Sequence, residues 1–165
     1  MIHNWMASPD RMKWVTRKER KGGKCVFCRI AAGDHNVDSL VLWQNKRFMV
    51  IMNLYPYNTG HIQVIPVRHV KALEELTDKE VSEMFILVKK CMKMLKKVLK
   101  PIGFNAGLNQ GGTAAGASIE HLHFHIVPRY KTDFGFMDIV VGTKVLPEPV
   151  EGTYERLKRH IDMLE

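Results

Sequence analysis

The sequence HLHFHIVPR, residues 121–129, decides how the rest of the chain is interpreted. Side chains of a β-strand alternate between its two faces, so successive residues on one face lie about 6.5–7 Å apart. A strand over residues 120–127 therefore places three imidazoles on one face and three apolar side chains on the other, facing a core. Pro128 is expected to stop this strand from continuing as a regular ladder. The residues predicted to share the polar face are His121, His123 and His125.

Three imidazoles in a row are poor core material, because they bury little apolar area and each needs hydrogen-bond partners. Imidazole binds metal ions, and in phosphoryl chemistry it acts as a nucleophile, an acid or a hydrogen-bond donor. The glycine-rich loop over residues 110–118 comes just before the strand, and its backbone N–H groups are suited to phosphate oxygens. The alternative for this loop is a plain flexible connection. The residues alone leave both chemistries open.

Four further segments have the composition of short strands bounded by turn residues. They cover residues 39–44, 47–53, 61–66 and 104–109, and a tight turn is expected at residues 45–46. Together with the histidine strand, one long helix and a terminal helix, they indicate an α+β fold. We predict an antiparallel sheet of about five strands.

The long helix is predicted over residues 77–100. Thr77 can cap its first turn, Glu80 completes a capping box, and Pro101 ends it. Cys91 lies beside the apolar stripe of this helix and is expected to be a small core residue. A last helix is predicted from about residue 153 to residue 164, and one or two helical turns over residues 25–32. The apolar residues that recur at three- and four-residue steps in the long helix are Val81, Met84, Phe85, Val88, Met92, Leu95 and Leu99.

The length of 165 residues points to one domain, expected over residues 25–165 after an N-terminal extension of residues 1–24. Apolar residues make up 45% and charged residues 25%, as in soluble globular proteins. No apolar run approaches the roughly 20 residues of a membrane helix, and the N-terminus lacks the apolar core of a secretory signal. Three cysteines are too few for a disulfide scaffold. We therefore expect a cytoplasmic protein with no membrane partner.

The net charge is +8, and the isoelectric point is near 9.5. A basic surface attracts polyanions such as nucleic acid, anionic membranes or nucleotide phosphates. The alternative is a solvated surface without a partner. The basic residues cluster in residues 17–24 and 89–100, and no RNA-binding aromatic signature accompanies either cluster. Nucleic acid is therefore not the expected partner.

Two segments together resemble the histidine triad (HIT) family. HLHFHIVPR is similar to the family's signature, and GHIQVIP, residues 60–66, is similar to its upstream Gly-His strand. The resemblance covers roughly residues 25–130. The segments WMASPDRM and NLYPYNTGH, and Glu120 before the triad, resemble the branch of diadenosine-polyphosphate hydrolases and phosphorylases more than the smallest nucleoside-phosphoramidate hydrolases. The resemblance implies a HIT-like sheet and a homodimer whose sheets join edge to edge. The apolar tail over residues 134–146 is a local hint of such an interface. The alternative for this tail is an ordinary covering strand and loop.

The resemblance also implies roles for individual residues. His123 would be the nucleophile that forms a nucleotidyl-histidine at an α-phosphate, and His125 and His61 would donate hydrogen bonds to phosphate oxygens. Asn53 would hold the ribose hydroxyls. The phosphate-loop positions that would bind the nucleotide are Gln110, Gly116 and Ser118, of which Gln110 and Ser118 would position the α-phosphate or the bridging oxygen during catalysis.

The expected function is that of a nucleotidyl hydrolase or transferase acting on dinucleoside polyphosphates such as diadenosine tetraphosphate. The alternatives are a nucleoside phosphoramidate hydrolase, and a nucleotide- or RNA-binding regulator with little turnover. The histidine set argues against a pure binder, since binding does not require a nucleophile. Whether water or phosphate resolves the intermediate stays open.

The pair Cys25-x-x-Cys28 is a second candidate site. A lone CxxC is ambiguous between a metal site, a redox pair and chance, and zinc needs two more ligands. Some relatives in the family complete such a site with the first histidine of the triad and a histidine after the Gly-His strand. Those positions hold His121 and His69 here, which implies structural zinc; the alternative is a reduced, partly buried cysteine pair. No organic cofactor is expected.

Overall fold

The computed structural model describes residues 25–112, 119–131, 133 and 146–165. The predicted extension over residues 1–24 lies outside this part of the chain. The same is true of Gly116 and Ser118 in the predicted phosphate loop, and of residues 134–145 in the apolar tail.

The described residues form an α+β fold around one antiparallel sheet. The strands lie in the order β1-β2-β3-β5-β4, and every neighbouring pair is antiparallel. This confirms the predicted five-stranded sheet with one long helix. The elements in chain order are α1 (Val26–Ala31), β1 (Leu40–Gln44), β2 (Phe48–Met52), β3 (Ile62–Pro66), a 3₁₀ helix (Leu73–Glu75), α2 (Asp78–Leu99), β4 (Gly103–Asn109), β5 (His123–Arg129), α3 (Val150–Lys158) and a second 3₁₀ helix (Ile161–Leu164).

The two faces of the sheet carry different layers. On one face, α2, α3 and the C-terminal 3₁₀ helix cover the main core, which includes Phe124 and Ile126 of β5. On the other face, α1 covers a smaller cluster in which Phe27 and Ile30 pack with residues of β2 and β3. The alternation predicted for the histidine strand is therefore present, because its apolar side chains enter the main core. Its histidines emerge on the α1 face.

The limits of β5 differ from the prediction. The strand begins at His123 and runs through Pro128 to Arg129, paired with β4 along its whole length. Its pairing with β3 covers only residues 124–126, so Pro128 lies where the strand has β4 as its paired neighbour. A residue without an N–H is tolerated where a strand is not paired on both sides. His121 lies before the strand, so the expectation of three histidines on one strand face was wrong for His121.

The long helix begins as predicted. The Thr77 side chain accepts a hydrogen bond from the Glu80 amide at 3.3 Å, and the Glu80 carboxylate accepts one from the Thr77 amide at 2.9 Å. The helix ends at Leu99, and Lys100 takes a left-handed conformation before Pro101. Cys91 is fully buried, as expected, but Phe85 of the predicted stripe is 47% exposed.

The C-terminal helix is divided. The predicted helix over residues 153–164 is instead α3, Val150–Lys158, followed by a separate 3₁₀ turn, Ile161–Leu164. Within the described part of the chain, no helix has both the length and the hydrophobicity that a bilayer crossing requires.

Replacing the cap residue should test the start of α2. Thr77→Ala should lower the free energy of unfolding by about 1 kcal/mol, because the Glu80 amide loses its acceptor. Ser82→Ala, at an exposed position in the same helix, is the matched control and should change stability by less than about 0.5 kcal/mol. Urea unfolding followed by circular dichroism measures both. Equal losses in the two variants would contradict the capping role.

Candidate active site and metal-binding group

His123 stands at the start of β5 with one ring nitrogen fixed. Its Nδ1–H donates to the backbone carbonyl of His121 at 2.7 Å. A carbonyl only accepts, so the proton of the neutral ring must be on Nδ1, and Nε2 keeps its lone pair. The side chain is buried, and burial lowers its pKa below the ordinary value. His123 is therefore a neutral imidazole with a defined nucleophilic atom.

His61 and His125 form a chain of hydrogen bonds with one direction. The backbone N–H of Tyr57 donates to Nδ1 of His61 at 3.1 Å, so His61 carries its proton on Nε2. That Nε2–H donates to Nδ1 of His125 at 2.8 Å. His125 in turn must carry its proton on Nε2. Its free N–H can serve as a donor to a substrate oxygen.

Both of these imidazoles are neutral at physiological pH. The pKa of His61 is lowered to about 3. Burial is the largest cause, and electrostatic repulsion from His125 and His123 contributes less. Burial, followed by the charge of His123, lowers the pKa of His125 to about 4. A neutral pair keeps the proton positions that the hydrogen bonds define.

The expectation that His61 donates directly to phosphate does not agree with this geometry. His61 is fully buried, and both of its ring nitrogens are engaged within the protein. The physical reason is that His61 lies directly before β3. This strand pairs with β5, and Gln63 lies opposite His125 in that pairing. His61 is therefore placed to orient the His125 ring through this hydrogen bond.

Two other predicted nucleotide contacts are bonded to the protein itself. The Asn53 side chain lies 3.3 Å from Nδ1 of His61 through its Nδ2, and its Oδ1 accepts from the Tyr55 amide at 2.9 Å. The Gln110 side chain accepts from the Leu73 amide at 2.8 Å and donates to the Glu74 carboxylate at 3.0 Å. The ribose role of Asn53 and the phosphate role of Gln110 stay predictions.

Three side chains that the sequence did not single out adjoin the histidines. The Tyr57 ring lies 4.8 Å from that of His61, centroid to centroid, and is half exposed. Gln63 Nε2 lies 3.3 Å from Nδ1 of His125. Phe27 contacts His123 edge-on at 5.4 Å. The alternation of β3 could have indicated Gln63, two residues after His61, whereas nothing in the sequence indicates the contact of Phe27.

In the described part of the chain, β4 leaves space beside His125. Gly107 lies directly opposite His125 in the β4–β5 pairing. Among the described residues, no atom lies within 4 Å of the position that a Cβ on Gly107 would take. A cavity of about 280 Å³ lies nearby, lined by Lys71, Asn109, Gly111, Gly112, Ile119, Glu120 and His121.

The four predicted metal ligands come together. Their ligand atoms all lie within 4.8 Å of one another. Cys25 Sγ is 3.3 Å and Cys28 Sγ is 3.7 Å from Nδ1 of His121, and Cys28 Sγ is 3.4 Å from Nδ1 of His69. In a tetrahedral zinc site, bonds of about 2.3 Å to sulfur and 2.0–2.1 Å to nitrogen separate these atoms by about 3.6 Å. The spacing therefore fits a small tetrahedral ion.

The protonation of His121 also suits a metal. Its Nε2 lies 2.9 Å from the carbonyl of Pro66, so the proton of the neutral ring is on Nε2. The lone pair on Nδ1 then faces the two thiols. Burial and the neighbouring Cys25 raise the pKa of Cys28 to about 11 when no cation is present, and a bound cation would favour the thiolate instead. We refer to Cys25, Cys28, His69 and His121 as the Cys₂His₂ group.

The comparison with protein families agrees with this geometry. A family model described as HIT domain matches residues 34–132. The chain belongs to the HIT domain family. It is 44% identical over 116 residues to a protein named AP-4-A phosphorylase from Mycobacterium tuberculosis. The match covers 70% of this chain and 60% of that protein, so the HIT chain spans less than two thirds of the relative's length.

Two further comparisons bear on the site. The HIT chain is 38% identical over 104 residues to the asymmetrical bis(5'-nucleosyl)-tetraphosphatase of Schizosaccharomyces pombe, covering 63% of this chain and 57% of that one. A crystal structure of a Zn-bound histidine triad family protein from Mycobacterium smegmatis superposes with a TM-score of 0.66 at 26% identity. That superposition covers 86% of this chain and 98% of the other.

The buried neutral His61 should make stability depend on pH. Its pKa is about 3 in the folded protein against 6.5 for a free imidazole, so the unfolded chain binds the extra proton first. The free energy of unfolding should be highest above pH 6.5 and fall as the pH approaches 3. Between pH 6 and 4.5, the loss should be steeper than in His61→Asn by up to about 1.4 kcal/mol per pH unit. Urea titrations across this range measure both slopes, and equal slopes would contradict a neutral buried His61.

Proposed function

We propose that this HIT protein catalyses nucleotidyl transfer at the α-phosphate of dinucleoside polyphosphates, through a covalent intermediate on His123. The observation that carries the proposal is the 2.7 Å hydrogen bond from Nδ1–H of His123 to the His121 carbonyl. It leaves the lone pair on Nε2 of a neutral ring available as the nucleophile. A covalent step divides one difficult displacement into two easier ones.

In the first step, the lone pair on Nε2 of His123 attacks the α-phosphorus. A P–N bond forms, and the bond between the α-phosphorus and the bridging oxygen breaks, with its electron pair leaving on the departing nucleotide. The Nε2–H of His125, oriented by His61, donates to a phosphate oxygen as negative charge develops. In the second step, an oxygen of phosphate, or of a water molecule that releases a proton to solvent, attacks the same phosphorus. The P–N bond then breaks, and its electrons return to Nε2.

The choice of substrate rests on two supports. The HIT relatives from Mycobacterium tuberculosis and Schizosaccharomyces pombe have names that refer to dinucleoside tetraphosphates. The net charge of +8 also suits a polyanionic substrate better than a nucleoside phosphoramidate, which carries about one negative charge. Product analysis on diadenosine tetraphosphate, with and without inorganic phosphate, tests this choice. ADP and ATP formed only with phosphate indicate a phosphorylase, AMP and ATP formed without it indicate a hydrolase, and no product in either case contradicts the proposal.

Removing the nucleophile should separate chemistry from binding. His123→Ala should lower kcat by about 10³-fold or more, because the covalent route is lost. Nucleotide affinity should change little by comparison. Steady-state kinetics and equilibrium dialysis measure the two effects. His35 is exposed and belongs neither to the three catalytic-site histidines nor to the Cys₂His₂ group. His35→Ala is therefore the matched control and should keep wild-type activity. A His123→Ala protein with a tenth of wild-type activity would exclude His123 as the nucleophile.

We also propose that the Cys₂His₂ group holds one structural zinc ion. Four protein ligands leave no open position, so the ion would fix the fold locally and would not bind substrate. The donor set of two thiols and two imidazoles is one that zinc favours.

Metal analysis should detect one equivalent of zinc per chain in protein purified without chelator. Cys28→Ser should lower the zinc content to below about a tenth of an equivalent and lower the melting temperature, since structural metal binding contributes folding free energy. Cys91→Ala is the control, because Cys91 is buried in the main core away from this group and should leave the zinc content unchanged. Wild-type protein without zinc would contradict the assignment.

The proposed assembly is a homodimer joined through β4. The opposite edge strand, β1, is covered by α3, whose Lys158 Nζ donates to the carbonyls of Val41 and Leu42 at 3.0 and 2.8 Å. The middle of β4 is exposed, and Ile102 just before it is 75% exposed. Among the described residues, no strand pairs with the outer edge of β4, and an unpaired strand edge favours pairing with another strand. Light scattering across a concentration series tests this assembly, and a monomer at all concentrations would contradict it.

A further inference from the structure

The Cys₂His₂ group and the nucleophile are joined by a direct hydrogen bond. His121 contributes its ring to the group, and its own backbone carbonyl accepts from Nδ1–H of His123 at 2.7 Å. One residue thus would hold a bound ion with its side chain, and it fixes the proton of the His123 ring with its main chain.

That carbonyl lies before the first residue of β5. Its position depends on contacts that residues 66–70 make with His121 and Leu122. The His121 ring is held at Nε2 by the Pro66 carbonyl, and the next amide, Leu122 N–H, donates to the Val70 carbonyl at 2.8 Å. The same segment supplies His69 to the Cys₂His₂ group. A metal ion would therefore join this segment to His121 and to the two cysteines.

Phe27 provides a second contact between the group and the nucleophile. It lies between Cys25 and Cys28, and its ring meets His121 at 5.7 Å and His123 at 5.4 Å, both edge-on. Phe27 belongs to α1, a helix of six residues whose N-cap Cys25 makes no side-chain cap hydrogen bond. Helices this short are not stable on their own in water. Both cysteines flank this ring, so an ion bound to them would fix α1 and hold the ring against His123.

We propose that a metal ion bound by the Cys₂His₂ group would hold the His121 carbonyl and the Phe27 ring in place and thereby stabilise the Nδ1–H tautomer and the position of the His123 ring, so that occupancy of the group controls the rate of nucleophilic attack. His121, through its carbonyl, and Phe27, through its ring, are the positioning residues. The effect on rate rests on the proposed function, because His123 must be the nucleophile. The effect on the ring itself does not.

The ring of His123 can be observed without any substrate. We would record long-range ¹H–¹⁵N spectra of the histidine rings in zinc-loaded protein, in chelator-treated protein and after one equivalent of zinc is returned. His123 should show a single Nδ1–H tautomer when loaded, a mixture when depleted, and the single form again after zinc is restored. His160 is the internal control, because its Nδ1 lies 3.2 Å from the carbonyl of Arg156 in the C-terminal segment, far along the chain from the group. Its signals should stay constant.

Kinetics on the same samples test the effect on rate. Depletion of the metal should lower kcat by about ten- to hundredfold with a much smaller change in KM, because a misplaced nucleophile affects attack more than binding. His69→Ala should give the same loss, since the His69 ring packs on His121 at 4.8 Å and is a candidate ligand. His35→Ala should leave kcat unchanged.

The outcomes separate the two proposals. An unchanged His123 spectrum and an unchanged kcat after metal removal would overturn the inference and leave the proposed function intact. A loaded protein that forms no nucleotidyl-histidine would overturn the proposed function, while the spectra would still decide the positioning of the ring. If depletion unfolds the protein, zinc- and cadmium-loaded forms are compared instead. The larger cadmium ion should shift the His123 signals but not those of His160, and identical His123 spectra would overturn the inference.

Discussion

β5 lies between β3 and β4, and its two faces meet opposite requirements. One face carries Phe124 and Ile126 into the main core beneath α2, where apolar burial stabilises the sheet. The other face carries His123 and His125, which need hydrogen-bond partners to be buried at all. The apolar face thus fixes the register of β5, and a shift of one residue would move both imidazoles into the core.

Each imidazole makes its hydrogen bonds in a single tautomer. Backbone groups define the ends of each chain of hydrogen bonds: the His121 carbonyl accepts from His123, and the Tyr57 amide donates to His61. Between these ends, each ring has only one tautomer that makes every bond. Burial keeps the rings neutral by lowering the pKa of each, because a charged imidazole loses its hydration in the sheet interior. The resulting site combines a free lone pair on His123 with a free N–H on His125.

Much of the fold was predictable because local patterns and the tertiary structure agree. The period-two pattern of residues 121–129 predicted the apolar face of β5, and the Thr77–Glu80 pair predicted the start of α2. The four residues of the Cys₂His₂ group were named from resemblance, and the fold brings them together. Pro128 was misjudged, because its tolerance depends on which neighbouring strand continues beside it. Phe85 was assigned to the core from spacing alone, yet it is half exposed.

By itself, the sequence determined which residue types were available and at what period: alternating histidines, an amphipathic helix and a CxxC pair. Periodicity is a local property of the backbone, so it survives without knowledge of the fold. Only the tertiary structure decided which contacts each of those residues makes. His121 leaves the strand and faces the cysteines, His61 is buried and orients His125, and Phe27 meets the nucleophile from a separate helix. These assignments depend on contacts between residues some 60 to 100 positions apart, and such contacts are set by strand order and register rather than by any local pattern.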